Sequence, residues 1–121
     1  MREPSDESVY HLVARGREFL ESGHPHQAVM LLDRAKMAEP EKASIRETLG
    51  RALARVGHWS RARREFAKAV AINPADDYAH FALGLTCLRT GQRTRAIAHL
   101  KLAVAMSPRD EYRETLRRVT S

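Results

Sequence analysis

Apolar residues along this chain recur at intervals of three and four, the spacing that gathers side chains onto one face of an α-helix. Between Trp59 and Ile72, the residues Ala62, Phe66, Ala69 and Val70 fall at i, i+4, i+7 and i+8. The stretch before it, Ala43–Val56, stops at Gly57, which can take the left-handed backbone conformation that ends a helix. Pro74 lies just beyond the second stretch, where it removes a backbone donor and restricts Asn73. The pattern predicts two helices joined by a tight turn and closed by a proline.

That unit recurs. Gly16, Gly50 and Gly84 are spaced 34 residues apart, and so are Gly23, Gly57 and Gly91; Ala28, Ala62 and Ala96; Ala35, Ala69 and Ala103; and Pro40, Pro74 and Pro108. A sixth column, Leu32, Phe66 and Leu100, is always large and apolar. The register divides the chain into units at about 8–41, 42–75 and 76–108. Residues 109–121 restart the first-helix pattern, with Tyr112, Leu116 and Val119 at i, i+4 and i+7, and read as a helix covering the open end of a stack. Residues 1–7 are polar and are expected to be a flexible, disordered N-terminus. Gly50 stands in mid-helix, where glycine costs about 1 kcal/mol relative to alanine. A cost met in every unit implies that the second helix crosses there too closely for a side chain. Asp76-Asp77 and Asp110-Glu111 mark helix starts by their charge, and Ser60 and Thr94 are placed to cap two second helices.

A 34-residue helix–turn–helix with paired glycines, two alanines, a large apolar residue and a closing proline resembles the tetratricopeptide repeat over about residues 9–108. The resemblance implies an all-α, right-handed α-solenoid of three repeats plus a C-terminal capping helix. It also implies that first helices line a concave groove while second helices face outward. The chain departs from the family at its usual aromatic positions, which hold Leu12, Arg46 and His80 early in the first helix and Phe19, Leu53 and Cys87 later. Arg15 stands where the other units have Leu49 and Leu83, so looser packing is expected in the first helix pair.

Composition narrows the function. Hydrophobic residues at 43% and charged residues at 30% describe a globular chain, and aromatics at 6% call for an aliphatic core. There is no run of apolar residues long enough for a membrane span and no apolar segment behind the first basic residue, so a cytoplasmic protein is expected. The single cysteine, Cys87, excludes an internal disulfide and reads as a small buried hydrophobe. The net charge of +6 lies wholly in residues 59–121, which hold twelve basic and six acidic side chains.

Helical spacing, oriented by the family's groove, nominates Tyr10, Val13, Arg17, Leu20 and Glu21 from the first unit, and Glu47, Arg51, Ala54 and Arg55 from the second. The third supplies Tyr78, Phe81, Leu85, Leu88 and Arg89, and the capping helix Tyr112. Tyr78, Phe81, Leu85 and Leu88 form an apolar stripe beside arginines whose forked donors suit carboxylate or phosphate. The expected partner is therefore another protein, presenting a peptide or helix with acidic residues and an apolar anchor. The resemblance also provides a negative: members that grip the C-terminal carboxylate of heat-shock chaperones use Lys, Asn, Asn, Lys and Arg where this chain has Val13, Arg17, Thr48, Tyr78 and Ala82.

Two alternatives compete with this reading. Arg61, Arg64 and Lys68 share a face of one second helix, and Arg93, Arg95, Lys101, Arg113, Arg117 and Arg118 extend basic charge toward the C-terminus, a possible track for nucleic acid. No aromatics interleave with them for base stacking. The apolar stripe could instead be buried in a homodimer. Catalysis is not expected: the six histidines are scattered, the paired acids read as helix starts, and no glycine-rich phosphate loop is present. Neither a metal nor a cofactor is called for.

Overall fold

The computed structural model describes residues 8–121, so the expected disorder of residues 1–7 lies outside the described residues. The described chain forms seven helices in order: α1 (Val9–Glu21), α2 (Pro25–Ala38), α3 (Ala43–Arg55), α4 (Trp59–Ile72), α5 (Asp77–Arg89), α6 (Arg93–Met106) and α7 (Asp110–Thr120). Each packs on the next, and the first helices α1 and α3 also touch. This is an all-α stack of three helical hairpins with α7 closing the end. Among the described residues no helix is long and apolar enough to cross a membrane.

The hairpin turns are set by Gly23, Gly57 and Gly91, at φ of 85°, 86° and 79°. The backbone amide after each glycine donates to a carbonyl near the end of the first helix, as His58 does to Leu53 at 2.9 Å. The turn leaves no space for another residue, so His58 and Gln92 occupy the cap positions of α4 and α6. Ser60 and Thr94 therefore lie inside those helices and do not cap them, contrary to expectation. Asp76 does cap α5, its side chain accepting from the Ala79 amide at 3.1 Å.

The mid-helix glycines and the large apolar column explain one another. A Cβ on Gly16, Gly50 or Gly84 would lie 2.9, 2.9 or 2.8 Å from Leu32, Phe66 or Leu100 respectively. The six repeated alanines of the second helices, Ala28, Ala35, Ala62, Ala69, Ala96 and Ala103, are fully buried on the same seam. A continuous aliphatic core results, running from Leu20 and Leu32 through Leu49, Leu53 and Phe66 to Leu83 and Cys87.

Polar packing replaces one apolar contact of the seam. Leu12 and Leu31 pack together in the first hairpin. The positions 34 residues on hold Arg46 and Glu65, joined by an ion pair of 3.0 Å, and those beyond hold His80 and His99, with Nδ1 atoms 3.1 Å apart. Arg46 Nε donates to Pro40 O at 3.0 Å and His80 Nε2 to Pro74 O at 2.9 Å, so both replacements also tie down the carbonyl of the closing proline. The departures at these two positions are thus satisfied polar contacts, and Arg15 is exposed, on a face of α1 where no other helix packs among the described residues.

Candidate functional site

Three adjoining pockets run across the first helices. One of about 320 Å³ is lined by Val9, Tyr10, Val13, Arg17, Ser44 and Ile45 among others. The next, of about 390 Å³, is lined by Arg17, Ser44, Glu47, Thr48, Arg51 and Tyr78. The last, of about 220 Å³, lies between α3, α4 and α5, where Arg51, Ala54, Arg55, Trp59, Tyr78, Ala82 and Leu85 surround the edge of Phe66. Shared walls at Arg17, Ser44, Arg51 and Tyr78 make them one trough.

Nine nominated groove residues line this trough: Tyr10, Val13, Arg17, Glu47, Arg51, Ala54, Arg55, Tyr78 and Leu85. Tyr10 is open, at 77% exposed, while Tyr78 and Leu85 stand about one-third exposed at 38% and 37%.

Phe81 is a correction. It is buried, stacked on Tyr112 with ring centroids 4.5 Å apart, because α7 lies over that part of α5. Tyr112 is buried with it and donates from its hydroxyl to Asp77 Oδ2 at 2.7 Å. Burial and that hydrogen bond push the Tyr112 phenol well above its ordinary pKa. Leu20 belongs to the core, and Leu88 is half-buried between two core clusters. Arg89 lies over the Trp59 ring at 4.2 Å instead of lining a pocket. The apolar stripe proposed for self-association is thus covered at Phe81 and open only at Tyr78 and Leu85.

Sequence reasoning missed Trp59 and Phe66, which reach the trough from the second helix of their hairpin. Their signal was the gap at Ala54 and Ala82, small residues that expose what lies beneath. Ser44 was also missed, although it falls in one 34-residue column with Tyr10, Tyr78 and Tyr112.

The two faces differ in how their charges are satisfied. On the outer face Arg61 pairs with Asp33 at 3.0 Å, Lys68 with Glu41 at 3.4 Å, Arg113 with Asp110 at 3.1 Å, and Arg117 with Glu114. Arg64 of that set has no carboxylate in contact among the described residues. In the trough, Arg17 and Arg51 likewise meet no carboxylate in ion-pair contact among the described residues, and Arg55 donates only to Leu20 O, at 3.5 Å. Glu47 is held near neutrality: burial first, then a hydrogen bond with Asp76, raises its pKa to about 8. Burial likewise raises the Tyr78 phenol. The trough is therefore cationic, with an apolar end.

A sequence model described as the tetratricopeptide repeat matches residues 47–111, more than half of the chain. The chain belongs to the tetratricopeptide repeat family. No curated relative matches it by sequence. Among solved structures, the first tetratricopeptide domain of Spaghetti (RPAP3), bound to an HSP90 peptide SRMEEVD, is similar at a TM-score of 0.89 and 17% identity, over 94% of this chain and 91% of that one. The second such domain of human RPAP3, in complex with an HSP70 peptide SGPTIEEVD, gives 0.86 and 14%, over 94% and 99%. The Yersinia enterocolitica type III secretion translocator chaperone SycD gives 0.81 and 18%, over 98% and 82%. At these identities the likeness is one of fold. In this tetratricopeptide repeat protein, no group of three or more metal-ligating side chains gathers among the described residues.

Proposed function

We propose that this protein is an interaction module whose concave trough takes a segment of another protein carrying acidic side chains and an apolar anchor. The observation that carries the reading is the contrast in ion pairing: Arg61, Lys68, Arg113 and Arg117 on the basic face each stand within ion-pair distance of a carboxylate, while Arg17 and Arg51 in the trough do not among the described residues. A guanidinium without a carboxylate beside a half-enclosed apolar pocket suits a charged ligand with a hydrophobic neighbour. The apolar anchor goes between Trp59, Tyr78 and Leu85, and the acids meet Arg17, Arg51 and Arg55.

The peptides bound by the two RPAP3 domains, SRMEEVD and SGPTIEEVD, combine acidic and apolar residues and support that ligand class. The grip differs from a chaperone carboxylate clamp. All five positions aligned with the clamp line the trough, yet they hold Val13, Arg17, Thr48, Tyr78 and Ala82, of which only Arg17 is cationic. A non-catalytic adaptor or scaffold working in the cytoplasm fits these features, and the ion pairs of Arg61, Lys68, Arg113 and Arg117 favour the trough over nucleic-acid binding.

Calorimetry with a short peptide of glutamates flanking one phenylalanine tests the reading. An Arg17→Glu, Arg51→Glu double variant is expected to lose about tenfold or more in affinity, the range of close charge reversals. Arg61→Glu, Arg64→Glu on the outer face is expected to bind as the wild type does. The opposite ranking contradicts the proposal.

A further inference from the structure

At each junction between successive first helices the 34-residue register places two residues, one from each helix: Leu20 and Thr48, then Ala54 and Ala82, then Leu88 and Leu116. Only the middle junction holds two alanines. Leu20 is buried in the core, and Leu88 and Leu116 both pack on the cluster of Phe81, Leu100 and Tyr112. The counterparts of Leu100 and Tyr112 one unit earlier are Phe66 and Tyr78, and there Ala54 and Ala82 line a pocket of about 220 Å³. The tyrosines record the difference: Tyr112 is buried, whereas Tyr78 is exposed beside that pocket. The pocket is therefore a seat that leucines fill at the last junction and that no side chain of this chain fills at the middle one.

The walls narrow what fits. An apolar cavity of about 150 Å³ is large enough for a benzene ring, so this pocket holds an aromatic side chain as readily as an aliphatic one. Trp59, Phe66 and Tyr78 line it, and Phe66 and Tyr78 already meet edge to face with centroids 6.5 Å apart. A further ring extends such contacts, which an aliphatic chain cannot. Arg51 and Arg55 stand in the same walls. Arg51 meets no carboxylate in ion-pair contact among the described residues, and Arg55 donates only to Leu20 O, at 3.5 Å. Such guanidiniums are attracted to the face of a ring, as Arg89 is to Trp59 at 4.2 Å. Size admits leucine and phenylalanine alike, and the aromatic edges and cations favour the ring.

We propose that the pocket framed by Ala54 and Ala82 is an aromatic-selective socket, which takes one aromatic side chain of the partner segment and owes its selectivity to those two residues being small. The inference rests on the trough being the binding site and names the anchor that the trough prefers. The incoming ring occupies the middle junction as Leu88 and Leu116 occupy the last one. Acids beside it in the partner reach Arg51, which the socket shares with the central pocket, and Arg17 beyond. A leucine at position 54, the residue of its column at Leu20 and Leu88, closes the socket from within.

The test is calorimetry with four peptides that keep the flanking glutamates and carry phenylalanine, cyclohexylalanine, leucine or alanine as the anchor. Cyclohexylalanine has the size of phenylalanine without its aromatic ring. The wild type is expected to bind the phenylalanine peptide about three- to tenfold more tightly than the cyclohexylalanine and leucine peptides. The alanine peptide is expected to bind about tenfold or more weakly than the phenylalanine one. Ala54→Leu is expected to melt as the wild type does and to bind all four about equally. Cyclohexylalanine or leucine matching phenylalanine on the wild type overturns the aromatic selectivity, and that ranking needs no variant. A phenylalanine preference that survives in a folded Ala54→Leu places the anchor elsewhere and also overturns the socket. Four equal wild-type affinities that all fall in Arg17→Glu, Arg51→Glu overturn the socket and leave the trough as the site. Absence of binding by all four overturns the site and the socket together.

Discussion

Gly50 and Phe66 occupy adjoining space so closely that a methyl group on the glycine would stand 2.9 Å from the ring. The helical penalty of glycine is the condition for α3 and α4 to cross at that distance. Gly50→Leu is expected to destabilise the protein by about 1–3 kcal/mol through overpacking. Adding Phe66→Ala should recover part of the loss, because it vacates the space the new side chain needs. Urea unfolding midpoints of the two variants decide the point.

The ion pair of Arg46 and Glu65 is shared with Lys36, which reaches Glu65 Oε2 at 3.0 Å, so one buried carboxylate holds α2, α3 and α4. Glu65→Ala leaves half-buried Arg46 without a carboxylate and Lys36 with only Asp33, at 3.6 Å, and is expected to cost about 1–3 kcal/mol. The double change Arg46→Leu, Glu65→Leu rebuilds the Leu12–Leu31 contact of the first hairpin. It should be less harmful than Glu65→Ala, since an apolar pair can replace a buried ionic one. Denaturant unfolding of both variants provides the comparison.

The His80–His99 contact makes stability depend on pH. His80 Nε2 donates to Pro74 O, so its Nδ1 accepts and His99 Nδ1 donates to it. Burial, then the charges of His80 and Arg95, lowers the pKa of His99 below 6.5. A lowered folded-state pKa gives stability that is present above the unfolded value and lost as pH falls through the folded one. Stability should therefore decline below about pH 6.5, by at most about 1.4 kcal/mol per pH unit for one proton. His80→Leu, His99→Leu should flatten that slope in thermal melts at pH 5 and pH 7.

Much of this architecture was legible because each column of the 34-residue register answers a local demand. A left-handed turn needs Gly57, and a close crossing needs Gly50 opposite Phe66. What the sequence withheld depends on how separate helices are rotated. Tyr78 and Phe81 lie on one stripe, and only the position of α7 decides that Phe81 is buried and Tyr78 open. The pairings of Arg61 with Asp33 and of Tyr112 with Asp77 each join different units. Along a single helix those residues show their polarity but not their partner.

Phe81 and Tyr112 should carry the attachment of α7. Phe81→Ala is expected to cost about 3–5 kcal/mol, the range for removing a buried aromatic. Tyr112→Phe, which deletes only the hydroxyl bonded to Asp77, should cost about 1 kcal/mol. Hydrogen exchange is expected to show α7 amides losing protection first in the Phe81 variant, while α1 and α2 keep theirs.

The most direct measurement is backbone-amide NMR of the wild type titrated with the glutamate–phenylalanine peptide. The account predicts that the largest shifts fall on Arg17, Arg51, Arg55, Tyr78 and Leu85, the walls of the trough. Largest shifts at Arg61, Arg64, Arg113 and Arg117 would place binding on the outer face and contradict it.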